Sequence, residues 1–177
     1  MNSKQIFAES LEALLKKKNL DDIQVCEIVA GTHLSRRTFY RHFDDKYDLA
    51  GWYFAQFFEK SFGSITNGAS WEDALSSYLS LYKDKVAILK NAYESHDVNG
   101  LRNIDIAFTK KTYETYLLQN GADTQSEIMQ FAIDIASRGG TDMVIEWLMG
   151  GMKIEKEKLI SLLKQTLPPV ILRYLDK

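Results

Sequence analysis

Apolar side chains recur three and four residues apart along almost the whole of this 177-residue chain, and strand-like alternation is nearly absent. A chain with that period buries one stripe per helix and must pack helix on helix, so the expected fold class is all-α. Punctuation divides it. A first helix is expected over 3–18, with Phe7, Leu11, Leu14 and Leu15 as its buried stripe and Lys16-Lys17-Lys18 favourable at its C-terminal end. A short second helix follows from Val25 to Ala30 or Gly31, and Gly31-Thr32-His33-Leu34 breaks the pattern. Ser35 is placed to cap a third helix. Asp44-Asp45 complement the start of a long fourth over 45–65, and Thr66-Asn67-Gly68-Ala69-Ser70 is the clearest linker. Beyond it come segments 71–94, with a break near Lys83-Asp84, then 99–119, 124–149 and 155–174. Pro168-Pro169 should kink the last of these or end it early.

The resulting organisation is a three-helix helix-turn-helix head, residues 1–46, and a helical-bundle body, residues 47–177. The head's third helix carries the chemistry. Phe39 and Phe43 lie four apart and share the face that holds it on a small core. Arg36, Arg37, Tyr40 and Arg41 are left pointing outwards. Two short helices about a tight turn, the second bearing exposed Arg and Tyr, is the layout that places a helix in the major groove of double-stranded DNA. There an Arg can donate two parallel hydrogen bonds to a guanine. Ser35, Thr38 and Tyr40 can reach phosphate oxygens, and Lys46 adds charge beside the amides of the next helix's first turn. The net charge of −2 excludes a protein coated in positive charge, but sequence-specific binding needs only a local basic footprint.

The run Ile28-Val29-Ala30, then Leu34-Ser35-Arg36-Arg37-Thr38-Phe39-Tyr40-Arg41-His42-Phe43-Asp44-Asp45-Lys46-Tyr47-Asp48-Leu49, resembles the head signature of the TetR family. That signature is a Ser or Thr, variable polar residues, a Thr-hydrophobe-Tyr core, an aromatic and a Lys-x-x-Leu element. Ile23-Gln24-Val25-Cys26-Glu27-Ile28 fits the entry to the family's second helix. The resemblance implies a sequence-specific transcription regulator, with Arg36 and Arg37 near base edges and Thr38, Tyr40, His42 and Lys46 at the DNA backbone. Two positions depart from the pattern. His33 stands where a Gly is usual, which demands an unusual backbone geometry or a different turn. Gln24 replaces the usual Thr or Ser, which puts a customary cap and phosphate contact in question.

For the body, the resemblance implies a homodimer on a palindromic operator, joined through the last two long helices. Met143, Trp147, Leu159 and Leu163 are the candidate interface residues. It also implies an effector pocket between the middle helices, for which Trp52, Phe58, Tyr78, Tyr82, Phe108 and Tyr113 are candidates and a small apolar or aromatic ligand the expected occupant. At helical spacing the same aromatics can equally be plain core. The stretch from Gly139-Gly140 through Glu146-Trp147-Leu148 to Gly150-Gly151 resembles a smaller branch, the dihydroxyacetone kinase operon activator group. Some of its members act with a protein coactivator, so activation stands open beside repression.

Other functions find little support. Cys26 is the lone cysteine, excluding an internal disulfide, and its apolar neighbours predict a small core residue. His33, His42 and His96 have no helical pairing with metal-ligand spacing, so neither a metal nor a cofactor is expected. No phosphate-cradling Gly-rich loop or catalytic constellation occurs, which argues against an enzyme; Gly139-Gly140 instead predicts close helix packing or a kink. No apolar run reaches the roughly 18 to 20 residues that span a bilayer, and the N-terminus lacks a signal peptide's apolar stretch, so a cytoplasmic protein is expected. The competing class is a helical interaction module whose head no longer binds DNA.

Overall fold

The helical period carries through the computed structural model, which describes Asn2–Leu175 apart from the side chains of 66 and 67; Met1, Asp176 and Lys177 lie outside it. Ten α-helices form, and no strand occurs among the described residues. They are α1 Ser3–Leu15, α2 Val25–Ala30, α3 Arg36–Tyr40, α4 Lys46–Phe62, α5 Trp71–Asp84, α6 Val86–Tyr93, α7 Leu101–Gln119, α8 Glu127–Met149, α9 Lys156–Gln165 and α10 Pro169–Leu175. The break expected near Lys83-Asp84 falls at Lys85, whose φ of −124° and ψ of 20° leave the helical region. Pro169 opens α10, the position where a missing N–H costs nothing. The linker after α4 first tightens into a 3₁₀ turn, Gly63–Asn67, and then reverses at Gly68, whose φ of 88° suits glycine.

By internal packing the chain divides into two compact units, Met1–Gln56 with Lys85–Ile104, and Phe57–Asp84 with Asp105–Lys177. The boundary at 46/47 read from the sequence marks the end of a motif; packing adds the start of α4 and all of α6 to the head. In the first unit Phe7, Leu11, Leu15, Ile28, Phe39 and Leu49 form a core without solvent contact, and α1 packs on both α2 and α6. Polar ties explain why α6 belongs there. The Glu12 carboxylate accepts from Lys85 Nζ and from Tyr53 Oη, both at 2.6 Å, while Asn91 Nδ2 donates to the Leu15 carbonyl at 2.7 Å. Burial alone would raise the pKa of Glu12, but the hydrogen bonds from Lys85 and Tyr53 outweigh it and hold the group below its ordinary value. Asp21 likewise accepts from Ser95 Oγ at 2.5 Å, from the His96 amide at 3.0 Å and from Tyr47 Oη at 3.0 Å.

In the second unit α5 packs on α9 and α8 on α10. One side of α8 buries Met129, Ile133, Ala136, Val144, Trp147 and Leu148. Two of the expected interface residues are therefore corrected. Trp147 and Leu159 are only 7% and 5% exposed within their own unit, and Trp147 Nε1 donates to the Ile154 carbonyl at 2.8 Å. Met143 is exposed and Leu163 half-buried. The apolar residues that α8 leaves most exposed are Ile128, Phe131 and Ile135, at 62%, 64% and 52%, followed by Met143 and Met149. No helix among the described residues is long and apolar enough to cross a membrane.

Candidate nucleic-acid interface and body cavity

Five residues are too few to sustain a helix by propensity, so α3 exists because its ends and inner face are held. Ser35 Oγ accepts from the Thr38 amide at 3.1 Å and lies 2.9 Å from Thr38 Oγ1, a local cap that occupies both hydroxyls expected at phosphates. The Phe39 ring, fully buried, meets Phe7 edge-on at 5.2 Å and Phe43 at 5.7 Å. Burial of such a ring contributes about 1.5–3 kcal/mol, and each edge-on pair about 0.5–1.5 kcal/mol more. Upstream, the turn needs no left-handed residue at His33, because Met152 is the one described non-glycine with positive φ. Thr32 builds it instead: its Oγ1 donates to the Val29 carbonyl at 2.8 Å and accepts from the Leu34 amide at 3.1 Å. At Gln24, the N-cap of α2, the Glu27 carboxylate reaches back to accept from the Gln24 amide at 2.9 Å, the reciprocal half of a capping box. Lys18 Nζ, 2.6 Å from that carboxylate, chiefly holds Glu27 below its ordinary pKa. Gly31 is required by packing, since a Cβ there would lie 2.3 Å from Ser10 Oγ, which donates to the Ile28 carbonyl at 2.7 Å.

The outer face is basic, and none of the nine residues from Ser35 to Phe43 is acidic. Arg37 and Arg41 are exposed. The Arg36 guanidinium lies over the Tyr40 ring at 5.6 Å, with Nη2 3.4 Å from the phenol oxygen, so two exposed groups hold each other one helical turn apart. Asp45 Oδ1 caps α4 by accepting from the Tyr47 and Asp48 amides at 2.7 and 2.9 Å. Lys46 is engaged inwards: its Nζ donates to the carbonyls of Asp21 and Ile23 at 2.5 and 2.9 Å. His42 is half-buried, and its Nε2 is enclosed, with no hydrogen-bond partner among the described residues. Cys26, expected in the core, is exposed, because the six-residue α2 turns Ile28 inwards and its second position outwards.

This arrangement, a capped helix pinned by aromatics with its basic face free, sits inside a matched region. The family described as "Bacterial regulatory proteins, tetR family" matches residues 9–51, and that described as "Transcriptional regulator C-terminal region" matches residues 69–168, more than half of the chain. The chain belongs to the TetR family. Among solved structures it resembles the dihydroxyacetone kinase operon activator DhaS, with a TM-score of 0.62 and 17% identity over 98% of this chain and 96% of that one. The TetR family repressor AlkX from Dietzia sp., implicated in biodegradation of n-alkanes, aligns over 94% of this chain and 98% of its own, with a TM-score of 0.49 and 17% identity. No protein of curated function matches the sequence. The likeness to DhaS establishes the fold, and the family membership makes the chain a DNA-binding transcriptional regulator.

The TetR body contains a cavity of about 580 Å³ within the second unit. Phe58, Tyr78, Tyr82 and Tyr113 line it. Phe108 does not; its ring stacks on Phe58 at 5.0 Å, behind the wall. Trp52 is a correction: it lies in the first unit, 6.0 Å from the Phe43 ring. Phe62, Trp71, Asp105, Thr109 and Leu163 also line the cavity. Asp105 was detectable in the sequence, because it stands four residues after Leu101 where the helical phase calls for an apolar side chain. Gly139 and Gly140 also border the cavity, and a Cβ on either would meet nothing within 4 Å. Their smallness leaves space and does not serve close helix packing. Burial raises the Tyr113 phenol well above its ordinary pKa, so it presents a protonated hydroxyl. Among the described residues no group of three or more His, Cys, Asp or Glu is placed to hold a metal.

Proposed function

We propose that the protein is a homodimeric repressor that reads a two-fold operator through Arg36, Arg37 and Arg41 and releases it when a small ligand fills the body cavity. The observation that carries the DNA-reading part is the basic outer face of α3, fixed in direction by Phe39. Tyr40 sets register on phosphates, while Ser35 and Thr38, whose hydroxyls hold each other, fix the start of the helix. His42 and Lys46 act mainly from behind, given the enclosed Nε2 and the two carbonyls on Nζ. One such helix offers few base contacts, so two heads on a palindrome are needed for discrimination. Ile128, Phe131 and Ile135 recur at i, i+3 and i+7, a single exposed stripe that supports pairing of two copies, with Met143 extending it. The cavity favours a small ligand over a coactivator protein. Helix α4 carries head residues at its start and the cavity residues Phe58 and Phe62 near its end, so a ligand that prefers one setting of that helix would shift the head. Such a regulator works in the cytoplasm, where the chromosome is.

The test is fluorescence anisotropy with DNA from the protein's own promoter across a salt series. Specific binding should weaken with salt, and Arg37→Ala should cost about 1–3 kcal/mol and relax specificity. Equal affinity for scrambled DNA would count against the proposal.

A further inference from the structure

Two groups at the start of α4 that could have met a phosphate are engaged within the head. The Lys46 ammonium donates to the carbonyls of Asp21 and Ile23, and the amides of Tyr47 and Asp48 donate to Asp45 Oδ1. The Asp44 amide donates to Asp48 Oδ2 at 3.1 Å. Three carboxylates, Asp44, Asp45 and Asp48, fall within these five residues, so the sequence just past α3 is acidic. A cation comes to the same place from another helix. Lys4, in the first turn of α1, holds its ammonium 5.3 Å from the centre of the Phe43 ring and 5.8 Å from that of Trp52. The two rings lie 6.0 Å apart and form a shelf where α3 gives way to α4. This placement works against α1, because a positive charge in the first turn opposes the helix dipole and no acidic residue shares that turn. Glu9, one turn on, accepts from Gln5 Nε2 at 3.3 Å. Among the described residues Lys4 forms no ion pair. Aromatic faces attract a cation and support its stem, but they do not neutralise it.

We infer that Lys4 grips a phosphate of the DNA strand bordering the groove that α3 enters. This role rests on the reading of α3 as the recognition helix and adds a contact from α1, outside α2 and α3. A lysine that opposes its own helix dipole and has no counter-ion in the protein is suited to an anion from outside. Phe43 also packs on Phe39 at 5.7 Å, so the ammonium is tied to the aromatic group that orients α3. A contact to the backbone of the DNA contributes affinity and register and carries no sequence information, which separates Lys4 from the arginines of α3.

Lys4→Met keeps a stem over the two rings and deletes the charge, while Lys4→Arg keeps the charge. Anisotropy on the full-length protein, with promoter DNA and with scrambled DNA across a salt series, reads both. Lys4→Met should weaken the two DNAs by the same factor and leave their ratio at the parent's value. Its slope of log affinity against log salt should be shallower by about 0.9 for each head bound, which is about 3.5-fold per head between roughly 50 and 200 mM salt. Lys4→Arg should keep the parent's slope. Lys4→Gln also lacks the charge and should behave as Lys4→Met does, which provides a second variant should the first fold poorly. A further measurement alters only the DNA: methylphosphonates placed one at a time neutralise single phosphates around the site. At the phosphate that Lys4 grips, neutralisation should weaken the parent several-fold and leave Lys4→Met unchanged. A parental slope in the charge-deleted variants, or a loss confined to promoter DNA, would overturn the role of Lys4 and leave the regulator reading standing. No DNA binding by the parent protein would remove both.

Discussion

Replacing Lys46 by methionine separates a structural role from a DNA-contacting one. The ammonium donates to the carbonyls of Asp21 and Ile23 at 2.5 and 2.9 Å and lies 5.0 Å from the centre of the Tyr47 ring. Methionine keeps most of the aliphatic stem and deletes the donors. A hydrogen bond to a charged group is worth about 1.5–3 kcal/mol net when buried. Lys46 is half-buried, so water recovers part of both bonds, and the loss expected for the pair is about 1.5–2 kcal/mol. For a chain of this size that lowers the melting temperature by roughly 3–8 °C. The salt dependence of operator binding is the second readout. A lysine held inwards contributes no counterion release, so the slope of log affinity against log salt should stay that of the parent, whereas a phosphate contact would make it shallower by about 0.9. Thermal melts by circular dichroism and anisotropy titrations below the melting range give both numbers. An unchanged melting temperature with a shallower slope would refute the reasoning.

Phe131→Glu places a charge in the exposed stripe of α8 and should convert a dimer to a monomer in light scattering, with operator affinity falling and helical content unchanged. Gly31→Ala should destabilise the head by about 1–3 kcal/mol through the collision with Ser10 Oγ, and adding Ser10→Ala should recover part of the loss in denaturant titrations. Glu12 is held below its ordinary pKa, so its contribution is complete above about pH 4.3 and is lost as pH falls through the lowered value; Glu12→Gln should flatten acid unfolding there. Tyr47 is pushed up to about 12 by burial and its bond to Asp21. Its contribution is complete below about pH 10 and is lost as pH rises towards 12, so Tyr47→Phe should flatten the alkaline limb.

Element boundaries were legible because local chemistry sets them. Ser35 and Asp45 cap where their side chains reach backbone amides, and the proline at 169 can only open a helix or end one. The inward residues of α3 were legible for the same reason: Phe39 and Phe43 define one face and the arginines fall on the other. What pattern could not resolve was which core a helix face joins. Trp52 has the helical phase of a body residue, yet it packs on Phe43 in the head, because α4 contributes to both units. Helix α8 is apolar on more than one side, so Trp147 and Phe131 read alike in sequence; only the placement of α10 and the Ile154 carbonyl makes one interior and the other surface. Lys46 read as a free cation because the carbonyls that hold it lie more than 20 residues upstream, beyond any local pattern.

The brevity of α3 bears on how such a regulator changes its target over evolutionary time. Its shape is inherited from Ser35, Phe39, Phe7 and Phe43, while Arg37 and Arg41 take no part in holding it. The surface proposed to read DNA is thus uncoupled from the residues that make the helix fold. Duplicated copies can therefore drift at the outward positions and acquire new operators in single steps, each intermediate still folded, with no need to rebuild the scaffold beneath.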